Sequence, residues 1–330
     1  MFFWLSFLDL GEAVAILLLA HLMDSLYPYH SGVLLLTHPV HTSYTAAVKL
    51  GKPYSSRARG VVTWFIVVIS HLVIYWLLLR VALAVSRVFY ILLSAYVLKT
   101  SFSIRLLLDI VRSSCKSLES GDLDSARYWT KQIVRRDLDS LGESHIASAS
   151  IESLAESLVD GYISPLFYYA FFGPLGALFQ RLVNTLDSAL GYKESGFKDV
   201  GWFSARLDTV VNFIPARVTA LIIVLTSTFL GRDPARALAI LARDRRRTES
   251  VNAGYPLSAI AGVLGVWLEK VGHYTINSEG RAPGWRDIEA SLKVAKLSVV
   301  TWLAILITLL AISSFSAVNS KALCELTSLC

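Results

Sequence analysis

Three carboxylates recur at helical spacing in the middle of the sequence. Glu152, Glu156 and Asp160 are four residues apart, beside an apolar stripe over residues 151–159, which predicts an amphipathic helix. Like charges at this spacing repel by about 0.2–0.5 kcal/mol per pair, and no Lys or Arg occurs between 148 and 167. The row is either a solvated helix face or a cation site. In the second case, a divalent cation or an arginine from residues 181–217 offsets the repulsion.

Residues 181–217 are dense in side chains that apolar packing does not need. By spacing, Arg181, Asn184 and Asp187 share one helical face, and Asp208 and Asn212 share another. Carboxylate and amide oxygens are ligands that Mg²⁺ takes together with waters and phosphates. Guanidinium groups bind phosphate oxygens two at a time. Ion pairing within a helix is the alternative explanation for any one pair.

The whole set favours a joint site over isolated ion pairs. It comprises the acids Asp137, Glu152, Glu156, Asp160, Asp187 and Asp208 and the arginines Arg136, Arg181, Arg206 and Arg217. The sequence contains no phosphate-binding P-loop, no GxSxG nucleophile motif and no HExxH zinc motif. If this protein handles phosphate, it does so with a different kind of site.

The elements that position these residues are those of a membrane protein. The 330-residue chain is 54% hydrophobic and 17% charged, against about 25% charged in soluble domains. Residues 61–79 carry one His and no formal charge, and residues 297–314 carry no charge. Both runs reach the roughly 17–25 residues that cross a bilayer, so we predict two spans there.

Three further apolar segments are less regular. Residues 81–98 carry Arg87 in their middle and follow the first span directly, which favours a helical hairpin. Residues 2–23 contain Asp9 and Glu12 and lack the basic start of a signal peptide, so we expect an uncleaved, partly interior-facing helix. Residues 218–231 are short enough to be a buried or re-entrant helix rather than a span.

The net charge of +6 is concentrated in a few loops. Basic residues lie before the first span, after the expected hairpin, and at residues 243–247 ("RDRRR"). The positive-inside rule places these loops in the cytoplasm. In such a chain a basic run indicates contact with anionic lipid headgroups rather than with nucleic acid. We therefore expect a multi-pass protein of the plasma membrane, with its polar segment facing the cytoplasm.

Strand-like alternation is scarce, so the expected fold class is all-α: a polytopic helical membrane protein with a polar helical cytoplasmic segment. Within a single membrane-embedded domain, the chain divides into N-terminal membrane helices (1–98), the polar segment carrying the site (99–212), and C-terminal membrane-associated helices (213–330). Asp122 or Asp124 is expected to cap a helix that follows the turn at Gly121.

Several motifs in a fixed order resemble one enzyme family. They are "SGDLDSAR" (120–127), "RRD" (135–137), "IESLAESLVDGYISPLF" (151–167), "RLVNTLDSALGYK" (181–193), "ARLDTVVNFIPAR" (205–217) and "SVNAGYP" (250–256). This pattern strongly resembles the adenosylcobinamide-phosphate synthases of cobalamin biosynthesis, and "HPV" at 38–40 extends the resemblance toward the N-terminus. The pattern departs from the family at Leu138, Thr209 and Val251, where the family has Thr, Asp and Pro.

The resemblance implies an integral membrane enzyme that joins adenosylcobyric acid to aminopropanol, or to its O-phosphate. It implies ATP as co-substrate with Mg²⁺, the lipid bilayer as surroundings and no nucleic-acid partner. Assembly as a homo-oligomer, or with other cobalamin-biosynthesis enzymes, stays open.

The resemblance implies specific roles for the polar residues. The expected metal ligands are Glu152, Glu156, Asp160 and Asp187. The expected catalytic residues are Arg181, Arg206 and Arg217, which contact phosphate, and Asp208, the base for the incoming ammonium. The expected substrate- and ATP-binding residues are Arg136, Asn184, Thr185, Asn212, Asn252 and His38.

Two other function classes stay open from the sequence. A transporter would use charges within its spans, and Glu12 and Arg87 are the candidates for an ion path. The gathering of polar residues in the middle segment favours the enzyme over a transporter. A non-catalytic, corrinoid-binding membrane scaffold is the other alternative.

Overall fold

The computed structural model describes residues 9–192 and 196–327, with side chains up to residue 314. The chain forms two compact units, each assembled from segments that are distant in sequence. Unit 1 comprises Met1–Ser103, Ser164–Asp208 and Leu303–Cys330, and unit 2 comprises Ile104–Ile163 and Thr209–Trp302. The expected N-terminal helix at 2–23 falls partly outside the described residues; the structure has a helix from Leu10 to Leu26.

The described part is almost entirely helical. In chain order its helices are α1 (Leu10–Leu26), α2 (Gly32–Leu36), α3 (Pro39–Leu50), α4 (Arg57–Val85), α5 (Arg87–Ser101), α6 (Arg105–Glu119), α7 (Leu123–Lys131), α8 (Glu143–Leu158), α9 (Ser164–Leu190), α10 (Trp202–Val211), α11 (Phe213–Phe229), α12 (Pro234–Asp244), α13 (Gly254–Leu264) and α14 (Trp285–Thr327). A π turn (Val159–Ile163) lies between α8 and α9. Strands β1 (Leu268–Lys270) and β2 (Tyr274–Ile276) form an antiparallel hairpin in which Leu268 faces Ile276.

Several helices have the length and the apolar composition of membrane-spanning segments. Among the described residues, Arg57–Val85, Arg87–Glu119, Glu143–Leu190 and Trp285–Ser314 are long and apolar enough to cross a bilayer. A fifth span exists if α10 and α11 together form one broken span. The predicted spans at 61–79 and 297–314 are confirmed, and the protein is an all-α polytopic membrane protein.

The segment at 81–98 is built differently from its prediction. α4 ends at Val85, and α5 begins at Arg87 after the cap residue Ser86, whose hydroxyl accepts a hydrogen bond from Phe89 N. Arg87 therefore lies at a helix start and not in mid-span. α4 and α5 pack against each other in unit 1, as expected for a hairpin.

Local capping follows the sequence closely at two helix starts. Asp122 caps α7 by accepting from Ser125 N, so Asp122 rather than Asp124 is the cap. At α1, Asp9 accepts from Glu12 N at 2.7 Å, and the Glu12 side chain accepts from Asp9 N at 3.2 Å. This reciprocal pair satisfies two backbone donors that have no partner within the helix.

Candidate functional site

Glu152 of α8 is the most heavily contacted carboxylate of the acidic row. Its side chain is 5% exposed and pairs with Arg136, which lies in the loop after α7. The guanidinium is bidentate, with Nη2 at 2.8 Å from Oε1 and Nη1 at 3.4 Å from Oε2. The charge of Glu152 is therefore neutralised by an arginine of the same unit.

Two hydroxyl groups complete the surroundings of Glu152. The Ser148 hydroxyl donates to Oε1 at 2.6 Å, and the Tyr274 hydroxyl donates to Oε2 at 2.7 Å. Burial, followed by the negative charges of Glu152 and Glu156, raises the pKa of the Tyr274 hydroxyl. The phenol therefore stays protonated at neutral pH and remains a donor to the carboxylate.

The β-hairpin is tied to α8 through the same residues. Ser148 Oγ accepts from the backbone N of Glu269 in β1 at 2.8 Å. The Glu269 carboxylate accepts from Thr275 Oγ1 at 3.0 Å and contacts His145 Nε2 at 3.0 Å. The hairpin thus supplies one wall of the cluster around Glu152.

Glu156 and Asp160 have different surroundings from Glu152. Glu156 is half-buried, and the cations whose charges act on it are Arg136 and Lys270. Asp160 lies in the π turn, beyond the end of α8 at Leu158, so it leaves the regular helical face. At Glu152 the pairing arginine is Arg136 rather than one from residues 181–217.

A second contact in unit 2 joins two distant motifs. Arg217 in α11 donates through Nη1 to Asn252 Oδ1 at 2.9 Å and to Phe213 O at 2.7 Å. Asn252 Nδ2 in turn donates to Thr209 O at 2.9 Å. The Arg217 guanidinium also lies 4.0 Å from the centre of the Tyr255 ring. Arg217 is held near the N-terminal end of α11, where an anion is favoured.

Asp208 and Asn212, which were expected to share one helical face, do not lie in one continuous helix. α10 ends at Val211 and α11 begins at Phe213, with the buried Asn212 at the N-cap position between them. The four-residue spacing of Asp208 and Asn212 therefore spans a break between two helices.

Unit 1 contains the remaining sequence-predicted site residues. Asn184 of α9 donates to Asp208 Oδ1 at 3.2 Å, which joins two motif segments. The Thr185 hydroxyl donates to Arg181 O at 2.7 Å, so it bonds within its own helix. The Asp187 carboxylate lies against Gly191, where an added Cβ would be 1.9 Å from Oδ1. Arg206 is exposed on α10, and His38 caps the start of α3.

The metal-ligand predictions stay predictions. No group of three or more His, Cys, Asp or Glu side chains is arranged to hold a metal ion within the residues that the structure describes. Both oxygens of Glu152 already accept hydrogen bonds, whereas Glu156 keeps part of its surface exposed. Of the two, Glu156 is better placed to contribute a carboxylate oxygen to a cation such as Mg²⁺, which takes carboxylates together with phosphates and waters.

Four residues of this cluster were not predicted from the sequence: Ser148, Tyr274, Glu269 and His145. Two of them lie on strands of three residues each, too short for an alternating pattern to be recognised. The polar residues "SHIASAS" in α8 were the available signal, because serines on a buried helix face require hydrogen-bond partners.

The chain is similar to known proteins over most of its length. A family model described as "CobD/Cbib protein" matches residues 17–320. A probable cobalamin biosynthesis protein CobD of Aeropyrum pernix is 45% identical over 84% of this chain and 86% of its own length. A similarly named protein of Thermoplasma volcanium is 40% identical over 82% of this chain and 89% of its own length. The cobalamin biosynthesis protein CobD of Dehalococcoides mccartyi is 36% identical over 79% of this chain and 84% of its own length. No solved structure matches the chain.

Proposed function

This chain belongs to the CobD/Cbib protein family, and we propose that it acts in cobalamin biosynthesis by joining adenosylcobyric acid to an amino alcohol. The acceptor is aminopropanol or its O-phosphate, and the new bond is an amide. ATP enters with Mg²⁺ as co-substrate.

The observation that supports this proposal most is the pairing of family motifs with one another. Arg136 of "RRD" contacts Glu152 of "IESLAES", and Arg217 of "IPAR" contacts Asn252 of "SVNAGYP". Asn184 of "RLVNTLDS" contacts Asp208 of "ARLD". Residues that are far apart in sequence and share chemistry suited to phosphate and carboxylate are thus neighbours in each unit.

The reaction needs an activated acid, because amide formation from a free carboxylate is uphill in water. The substrate carboxylate attacks the γ-phosphorus of ATP, and ADP leaves, which gives an acyl phosphate. The amine then attacks the acyl carbon, the C–O bond to phosphate breaks, and the amide and inorganic phosphate remain. The ammonium must lose a proton first, and Asp208 is the proposed acceptor.

The chain's own residues then have defined tasks. Arg217, held by Asn252, binds and orients a phosphate group through its planar fork. Glu156 would contribute an oxygen to the cation that accompanies ATP, and that cation would neutralise phosphate charge. Arg136 and Tyr274 hold the Glu152 carboxylate in place through hydrogen bonds, so they position α8 rather than react.

The transporter alternative rested on Glu12 and Arg87. These two side chains form an ion pair with Nη2 at 2.7 Å from Oε2, and the Arg87 side chain is 55% exposed. A pair that neutralises itself at a helix start provides no chain of charges through a span. The enzyme proposal is therefore favoured.

The test is a reaction with purified full-length protein in detergent. Adenosylcobyric acid, ATP, Mg²⁺ and either amino alcohol are supplied, and corrinoid products and ADP are measured by mass spectrometry. We expect one ADP for each amide formed. Corrinoid binding with no product, with either acceptor and with Mg²⁺ or Mn²⁺, would support the scaffold alternative instead.

A further inference from the structure

We propose that unit 1 carries a binding site for a phosphate monoester, formed by Lys99, His30 and His38 with Arg181 beside them. The inference rests on the proposed function, since it assigns to these residues one phosphate of that reaction. The phosphate belongs either to the amino alcohol O-phosphate or to ATP, and the experiment below separates the two.

Lys99 lies at the bottom of this cluster. It is in the last turn of α5 and 3% exposed, and its Nζ is 3.3 Å from each ring nitrogen of His30. A neutral imidazole offers one acceptor, whereas an ammonium group has three donors. Within residues 9–192 and 196–314, His30 is the only side chain that hydrogen-bonds Lys99. One acceptor cannot satisfy all three donors of the Lys99 ammonium, so donors are available for an incoming anion. Such an anion would also supply the partner that a buried charge needs.

His38 forms the second side of the cluster. Its ring centre is 4.3 Å from that of His30, and its Nδ1 accepts from Val40 N at 3.2 Å. A neutral imidazole that accepts at Nδ1 carries its proton on Nε2, so Nε2 is a donor. His38 is also the N-cap of the 12-residue helix α3, whose positive end favours an anion.

The charges around His38 are mostly positive. Burial, followed by the neighbouring His30, Lys99, Arg181 and His41, lowers the pKa of His38 to about 3. Burial and then Lys99 lower the pKa of His30. Asp24, which is buried and interacts with Lys99, is the carboxylate that faces the cluster. The charged side chains that act on the two imidazoles are thus the cationic Lys99 and Arg181, and both imidazoles are neutral at pH 7.

A phosphate monoester fits this arrangement. It carries about 1.5–2 negative charges at neutral pH and three acceptor oxygens, which match the donors of Lys99 and His38, and the positive charge of Arg181 acts on the same place. Its charge would raise the pKa values of both imidazoles, so binding takes up protons. Affinity therefore rises as the pH falls from 8 to 6.5, where the ligand is still largely a dianion.

Binding of three probes to the full-length protein in detergent tests the site by calorimetry. The probes are aminopropanol O-phosphate, a non-hydrolysable ATP analogue and inorganic phosphate. Lys99→Met is expected to weaken one of the two organic phosphates by about tenfold or more, since a bond to a charged group contributes about 1.5–3 kcal/mol. His38→Gln is expected to weaken the same ligand and to flatten its pH dependence. Lys293→Met, which removes an exposed lysine paired with Glu289, is the control with unchanged affinity.

The ligand whose affinity falls identifies the source of the phosphate. Unchanged affinities for both organic phosphates in a folded Lys99→Met protein overturn the site. If Lys99→Met does not fold, unchanged affinities in His38→Gln have the same meaning. If the wild type synthesises the amide and the phosphate affinities of the variants are unchanged, the phosphate site is rejected and the proposed reaction stands. If the variants bind the phosphate more weakly but the wild type forms no amide, the proposed reaction is rejected and the phosphate site stands.

Discussion

At the scale of single residues, Arg136 and Glu152 form the most strongly buried ion pair of the candidate site. Breaking one partner of such a pair costs about 3–5 kcal/mol, because the other charge stays buried without compensation. We expect Arg136→Met to lower the unfolding midpoint strongly, whereas Arg136→Met combined with Glu152→Gln recovers much of the loss. Thermal unfolding of the two single variants and the double variant, in the same detergent, measures this coupling. Additive effects would show that the two side chains do not depend on each other.

Substitution of Glu156 tests whether the row of three acids is a cation site or a solvated helix face. Arg136 and Lys270 counter only part of the cost that burial and the neighbouring charge of Glu152 impose on its carboxylate, so Glu156→Gln should gain a few tenths of a kcal/mol from relieved repulsion if the row is only structural. If Glu156 contributes to holding the cation of ATP, Glu156→Gln lowers kcat by about a hundredfold and raises the Mg²⁺ concentration for half-maximal activity.

The matched control for Glu156 is Glu143→Gln, which changes an exposed carboxylate at the start of the same helix. Its activity and Mg²⁺ dependence should equal those of the wild type. Full activity of Glu156→Gln at an unchanged Mg²⁺ midpoint would return the acidic row to a purely structural role.

Arg217 tests the phosphate contact proposed for unit 2. Lysine keeps the charge but cannot bond both Asn252 and a phosphate through one planar group. We expect Arg217→Lys to lower kcat/KM for ATP by about 10–100-fold, with an unfolding midpoint close to the wild type. Arg57→Lys is the control, since Arg57 and its partner Asp199 are both more than half exposed. Equal ATP kinetics in the two variants would leave Arg217 as an anchor of α11 only.

At the scale of elements, the start of α4 depends on a close backbone approach. A Cβ added at Gly60 would lie 2.0 Å from Val200 O, so the loop at 196–201 packs directly on the helix. Gly60→Ala should cost roughly 1–3 kcal/mol through overpacking and lower the unfolding midpoint. Gly161→Ala is the control, because its added Cβ would meet no described atom within 4 Å beyond the neighbouring residues and backbone of its own helical turn. A midpoint for Gly60→Ala that equals this control would show that the loop shifts freely.

The elements that the sequence predicted well are those determined locally. The spans at 61–79 and 297–314 follow from hydropathy alone, and Asp122 caps α7 through a contact three residues away. The break at Asn212 and the hairpin that carries Tyr274 depend on tertiary packing, so no local pattern revealed them. The same reason applies to the site: the acidic row was visible, but the partner of Glu152 comes from a loop with no helical periodicity.

At the scale of the whole molecule, charge and connectivity lead to one orientation. α4 and α5 form a hairpin, so the chain before α4 and the chain after α5 return to the same side of the membrane. Both stretches are basic, with Lys49 and Lys52 before the hairpin and Arg105 and Arg112 after it. The positive-inside rule predicts that this side faces the cytoplasm, where ATP is available for the proposed reaction.

Cysteine labelling in intact cells measures that orientation. In a background in which Cys115, Cys324 and Cys330 are replaced, Ser140→Cys places a thiol in the exposed loop before α8. We expect it to resist a membrane-impermeant maleimide until the cells are permeabilised. Ser86→Cys, at the exposed turn between α4 and α5, should react from outside and serves as the matched reporter. Labelling of Ser140→Cys in intact cells would place the loop outside and separate it from the supply of ATP, which would contradict both the topology and the proposed use of ATP.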